Sequence, residues 1–273
     1  MKLFTKKNRP KVGLALGSGG SHGLAHIGVI KTLLDNGVSI DYVAGASSGA
    51  LIGGLYAAHN DIDAVERLAM TSDLNRLTHF MFDVSAHGGL LSGETIEQFI
   101  RKELDDVTFE RLHTPFAAVA TDIRTGEAVV LREGDVTSAI RASISVPLIF
   151  EPVTHGAHLL VDGGLVMPVP VDLVRSMGAD IVIGVNLDTP CPHGEHVDAP
   201  NLKVIMEMTM EILRNNLAAT QVQAADVIIS PQFDKKVYVG WEEFLHPKDM
   251  IAKGQAATEV ILPQLQALLS KRP

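Results

Sequence analysis

The chain has one cysteine, Cys191, in 273 residues. No intrachain disulfide is possible, and the cysteine usage implies no oxidising compartment. Long hydrophobic runs are missing as well. Every apolar stretch falls well short of the roughly 20 residues that a membrane-spanning helix needs. The basic start runs into Asn8-Arg9-Pro10 rather than the apolar stretch of a signal peptide. Positive charge is scarce: 23 Lys and Arg stand against 32 Asp and Glu, for a net charge of −9. Such a surface repels a polyanion, which argues against nucleic acid as a partner. The exception is a basic cluster, Lys2, Lys6, Lys7, Arg9 and Lys11. It reads as a solvated tail over residues 1–11, with contact to an anionic membrane surface as the other reading. Repeats and low-complexity tracts are absent, so residues 12–270 are expected to form a single domain. The expected location is the cytoplasm, with peripheral access to a membrane.

What is present is the composition of a folded globular protein, 46% apolar and 20% charged. Short apolar runs at Val12–Leu16, Ile40–Ala44, Phe116–Ala120 and Ile181–Val185 read as buried strands. Helical patterns separate them. That alternation predicts an α/β fold, a three-layer sandwich with a mainly parallel central sheet. Asp61 and Asp135 stand where helix N-caps belong, ahead of helices over 61–69 and 136–142.

Two glycine-rich segments carry the chemistry. Gly45-x-Ser47-x-Gly49 follows an apolar strand and precedes a helix. In that context the pattern is a nucleophile elbow: a sharp turn lifts the serine hydroxyl above the sheet, and small neighbours relieve the crowding. A Gly/Ser turn packed tightly on a sheet is the plainer reading. The second segment, Gly17-Ser18-Gly19-Gly20-Ser21-His22-Gly23, opens the first helix and exposes backbone N–H groups. No Gly-Lys-Ser/Thr ends it, so it is not a phosphate-binding P-loop. A dinucleotide fingerprint starting at Gly17 would need glycine where His22 stands. Stabilising an oxyanion is the reading left in front, because the elbow lies one βα unit later.

A serine nucleophile needs a base, and none of the histidines after Ser47 stands in a setting that singles it out. Asp162-Gly163-Gly164 ends an apolar strand, where the loops of parallel sheets gather function, although an Asp-Gly turn with an Asx cap is the more ordinary reading of these residues alone.

From about Val12 to Leu268 the chain resembles the patatin-like phospholipases of the bacterial type. The resemblance rests on motifs in order: Ser18 to Gly23 followed by Leu24-Ala25-His26-Ile27-Gly28-Val29, then Gly45-Ala46-Ser47-Ser48-Gly49. Ala120-Thr121-Asp122 follows, ahead of Thr125-Gly126. Arg141-Ala142-Ser143 with Pro147 and Phe150 comes next, and Asp162-Gly163-Gly164 ahead of Pro168 closes the series. It implies a Ser47–Asp162 dyad without histidine and an oxyanion hole of backbone N–H groups at Gly19, Gly20 and Ser21. Gly45, Gly49, Gly163 and Gly164 would support the motifs. The implied activity is hydrolysis of carboxylic esters, above all acyl esters of (lyso)phospholipids, with no cofactor. A non-lipid carboxylesterase and a regulatory protein that keeps the hydrolase fold are the alternatives. One position departs from the family: His22 stands where arginine or lysine is usual, which removes a fixed charge from the loop. With the carboxylate taken at its ordinary pKa near 4, the base is weak and catalysis must lean on the oxyanion donors.

Cys191, His193 and His196, near Asp188 and Asp198, hold zinc-type ligands but sit in a Pro/Gly-rich stretch, so no metal site is expected. Met206, Met208 and Met210 read as core or subunit contact rather than a lipid surface. Met70 to Leu91 is richer in Leu, Met and Phe than a surface loop should be, with Gly88-Gly89 near its end. It reads either as a helix packed on the sheet or as a cover for an acyl pocket. Head group, acyl length, positional preference and oligomeric state have no signature in these residues.

Overall fold

Alternation along the first strand sets the layers. In β1 (Val12–Leu16), Leu14 and Leu16 enter one apolar cluster and Ala15 another on the opposite face. The pattern repeats in β2 (Tyr42–Ala46), β3 (Phe116–Asp122) and β7 (Ile181–Val185), all buried on both sides. The first face carries Leu, Ile and Val and packs against α1 (Ala25–Asp35), α2 (Ser48–His59) and the C-terminal α8 (Pro247–Lys271). The second face carries Ala15, Ala44, Ala46 and Ala117 and meets the short α6 (Val171–Ser176). The result is helix, sheet, helix, and the expected three-layer α/β architecture is present. The computed structural model describes residues 9–71, 91–188, 202–233 and 246–271.

The strand order is β5 (Val153–His155), β6 (His158–Asp162), β3, β2, β1, β7, β8 (Val227–Ile229), with β4 (Ala128–Leu131) paired to β3 as well. From β3 through β2, β1 and β7 to β8 every pairing is parallel. The other end differs. β5 and β6 form a hairpin around Gly156, at φ 59°, and β6 runs antiparallel to β3. The sequence reading therefore needs one correction: the strand carrying Asp162 does not belong to the parallel set, and β5 was not anticipated. β4 occupies residues 118–121 on one edge of β3, so β2 and β6 share the other edge. β2 takes Phe116–Val119, and β6 takes Ala120–Asp122 beyond it. Asp162, partner of Ala120, thus arrives head-on at the end of β2, where Ser47 follows. Register delivers the aspartate, not a shared strand direction.

Helix boundaries follow local chemistry. Asp61 accepts from the Ala64 N–H at 3.1 Å and starts α3 (Ile62–Met70). Asp135 accepts from Ser138 at 2.9 Å and starts α5 (Val136–Ser143), as expected. Between them lies α4 (Glu94–Leu104), and α7 (Leu202–Gln221) packs against the 163–165 turn and places Ala218 in the second apolar cluster. Among the described residues no helix is long and apolar enough to cross a membrane. Residues 72–90, the bulk of the expected cover, lie outside the described residues. So do Lys2, Lys6 and Lys7, and the Cys191–His196 cluster. The far end of the expected cover is fastened in place: Leu91 N–H donates to Ile149 O at 2.8 Å, and Glu151 N–H to Leu91 O at 3.0 Å.

Candidate active site

Ser47 stands between the last residue of β2 and the first of α2, at φ 54° and ψ −123°. A side chain in that region costs about 1–2 kcal/mol, so the surroundings must hold it there. Its N–H donates to Ser143 Oγ at 2.9 Å, and Ser143 Oγ donates to Val119 O at 2.6 Å. Its carbonyl accepts from Ala50 and Leu51 at 2.9 and 3.1 Å. The flanking glycines are required by contact. A Cβ on Gly45 would strike the Gly49 carbonyl, and one on Gly49 would strike the carbonyl of Leu16. Strand, helix and neighbouring strand touch backbone to backbone, and the elbow is locked.

The glycine loop after β1 is tied down at its start. Gly17 N–H donates to Val185 O at 3.0 Å, and Ser18 N–H donates to Pro168 O at 2.8 Å. Buried His26 donates from Nε2 to Gly17 O at 2.8 Å. Burial holds its pKa at about 4, with the Gly17 bond opposing, so the ring is neutral. His26, on the first helix, is therefore a tether of the loop. Residues Gly20–Leu24 form a tight 3-10 turn with Gly20 at φ 57°. His22, the family's departure, stacks on Phe233 with ring centres 3.8 Å apart. Ring stacking braces the loop where a charged side chain was expected.

Asp162 ends β6 and is 5% exposed; Ser47 is 6% exposed. Its backbone carbonyl accepts from Thr121 Oγ1 at 2.8 Å, and its Oδ1 accepts from Gly164 N–H at 2.7 Å. Gly163 is pressed against the Val119 carbonyl, leaving no room for a Cβ. Oδ2 is buried with no hydrogen bond of full geometry. Burial pushes the carboxyl up to about 6, while the Ser47 hydroxyl, the Gly164 N–H and the charge of Arg214 pull it back. The Ser47 hydroxyl thus bears on the carboxyl although Oδ2 takes no hydrogen bond of full geometry. The carboxylate is accordingly a stronger base than the ordinary value near 4 that its sequence suggested.

Ser47, Asp162, Gly19, Gly20, Ser21 and Gly164 all line one cavity of about 200 Å³. Gly45, Gly49 and Gly163 stand behind it as packing. The wall is largely apolar, with Leu51, Ile96, Ile144, Ile149 and Phe150 among its residues. Pro147 and Phe150, quoted from the sequence pattern, are therefore wall residues. Arg141 is buried behind them and donates to Ser92 O at 2.6 Å, Gly93 O at 3.2 Å and Ser145 Oγ at 2.7 Å. It braces the loop that carries the wall. His22 is the one histidine among the described lining residues.

Sequence reading missed Arg214. It lies on α7, lines the cavity, and binds Asp188 through Nη2 at 2.8 Å and Nε at 3.2 Å. No local pattern announces it, because its partner Asp188 lies beyond β7 and its target Asp162 ends β6. The methionine run divides: Met210 lines the cavity, whereas Met206 is exposed.

Residues 14–175, more than half of the chain, match the patatin-like phospholipase family model. An uncharacterised NTE family protein of Mycobacterium tuberculosis is 35% identical over 216 residues, 79% of this chain and 59% of that protein. A patatin-like phospholipase domain-containing protein of Caenorhabditis elegans is 37% identical over 177 residues, 63% of this chain and 13% of that one. The chain thus spans well under two thirds of the length of these relatives. The fold is shared with the heterodimeric ExoU–SpcU complex of the Pseudomonas aeruginosa type III secretion system. The TM-score is 0.50 at 15% identity, covering 96% of this chain and 52% of that one. Glycine loop, serine elbow and Asp-Gly-Gly turn all fall inside the matched stretch, and the chain belongs to the patatin-like phospholipase family.

Proposed function

We propose that the protein hydrolyses carboxylic esters, favouring acyl esters of (lyso)phospholipids, through a Ser47 acyl-enzyme with Asp162 as the base. One observation carries this reading. A serine held in a strained turn and a buried carboxylate, brought from separate strands, open onto the same apolar cavity beside a glycine loop. An apolar wall suits an acyl chain, which gains about 0.8 kcal/mol for each CH₂ it buries.

Asp162 takes the Ser47 proton as Oγ attacks the ester carbonyl. N–H groups of Gly19, Gly20 and Ser21 stabilise the resulting oxyanion, each donor contributing about 3 kcal/mol. The tetrahedral intermediate collapses, the alkoxide leaves, and protonated Asp162 returns the proton to it as an alcohol. Water then adds to the acyl-enzyme with Asp162 again accepting a proton. Collapse of the second intermediate returns that proton to Ser47 and frees the fatty acid. A carboxyl of pKa about 6 is mostly ionised at neutral pH and still basic enough to share a proton with the serine.

Covalent labelling by a fluorophosphonate, mapped to Ser47, tests the nucleophile. A panel of short esters, lysophospholipids and diacyl phospholipids tests the substrate. A folded protein that neither labels nor cleaves any ester would establish the regulatory alternative instead.

A further inference from the structure

α7 has two unlike flanks. Glu207, Met210, Glu211 and Arg214 line the cavity. Next to them around the helix, Leu202, Ile205, Met206, Ile212 and Leu213 are 43% to 73% exposed. At 3.6 residues per turn these five, with Thr209, fall within an arc of about 120° that no charged residue interrupts. Leu165 carries the apolar surface back to the cavity. It lines the pocket, is 37% exposed, and belongs to the turn that α7 packs against. Single exposed apolar side chains are ordinary; a continuous stripe running from the lip of a pocket is not.

We propose that this stripe seats the protein, cavity mouth inward, on a lipid surface of zwitterionic headgroups; the proposal rests on the lipid-ester reading above. Charge selects the occupant. The chain carries −9, so an anionic surface is repelled. The described members of the basic cluster cannot offset this. Arg9 and Lys11 lie at the N-terminal end of β1, the opposite end from the glycine loop, and Arg9 already binds Asp41 at 2.6 and 2.7 Å. Size and charge both argue against a second copy. Six side chains on one helix fall far short of the roughly 20–30 residues a side of a stable protein interface. A second copy would also bring the same negative charge.

Sedimentation with vesicles tests this. The full chain carrying Ser47→Ala, which leaves the lipid uncleaved, is mixed with phosphatidylcholine vesicles or with vesicles part phosphatidylglycerol. Binding to phosphatidylcholine is expected, with weaker binding to the anionic vesicles. Adding Ile205→Ser and Leu213→Ser should cut the partition coefficient at least about tenfold. With Ser47 intact, the same pair should leave the melting temperature and the turnover of a dissolved butyryl ester unchanged. If the pair lowers the melting temperature, Ile212→Ser alone supplies the readout. Absent binding, binding indifferent to the substitutions, or stronger binding to anionic vesicles would each overturn the proposal. A dimer in light scattering that the substitutions split would assign the stripe to a second copy. Failure of the intact protein to label with the fluorophosphonate and to cleave any ester of the panel would overturn the hydrolase reading alone, because vesicle binding is measured without turnover.

Discussion

Ser47 owes its place to the residues immediately around it, whereas Asp162 owes its place to β3, whose Ala120 and Thr121 lie far away in the sequence. The serine side stores its cost in the backbone: φ is 54°, held by Ser143 and by two glycines that let backbones touch. The aspartate side stores its cost in charge, since an ordinary backbone carries a carboxyl whose pKa burial raises to about 6. Two neighbours in one cavity are therefore destabilised for different physical reasons, and one of those reasons depends on pH.

The largest expected effect removes the contrast. With Ser47 as the proposed nucleophile and Asp162 as the proposed base, Ser47→Ala and Asp162→Asn should each lower kcat/KM for a soluble ester by roughly 10³–10⁴. Full activity in Asp162→Asn would show that the serine half works with another base. Steric lock comes next. Gly45→Ala on the serine side and Gly163→Ala on the aspartate side should each cost about 3 kcal/mol or more, since each new Cβ meets a carbonyl. Denaturant midpoints measure both.

Stability against pH separates the two kinds of cost. Between its unfolded value near 4 and its folded value of about 6, Asp162 binds a proton more tightly in the folded protein. Stability therefore falls as pH rises through that window, and the whole cost persists above it. Asp162→Asn should gain about 1–3 kcal/mol at pH 8 and almost nothing at pH 4. Ser47→Gly should gain about 1 kcal/mol at both. Equal gains at both pH values for Asp162→Asn would show that its charge is not the cost. The same group predicts the rate profile: log kcat/KM should be level above pH 6 and fall with unit slope below it. An inflection at 4 would mean that burial does not tune the base. Ser143→Ala frees the Ser47 N–H. A loss of about 1–2 kcal/mol in stability and about tenfold in kcat is expected.

Much of this was legible beforehand because it is local. Strand–glycine–helix spacing around Ser47 encodes the elbow, since only small residues fit where Gly45 meets Gly49. Asp61 and Asp135 announced their helices because a cap bonds an N–H three residues on. The direction of β6 was not legible. A short apolar strand reads alike parallel or antiparallel until its partner is known. Arg214 stayed hidden for the same reason, as its charge reaches Asp162 only through the packing of α7.

By itself the sequence determined the layered α/β class, the turn at Ser47, the helix starts at Asp61 and Asp135, and the glycine loop around Gly19 and Gly20. Each depends on side-chain size, backbone freedom or hydrogen bonds within a few residues. Tertiary structure alone decided that β6 takes the edge of β3 that β2 leaves, which sets Asp162 facing Ser47. It alone decided that burial makes that aspartate a stronger base, that His22 stacks on Phe233, and which flank of α7 meets solvent. Those outcomes depend on desolvation and long-range pairing, and neither exists until distant segments of the chain have packed together.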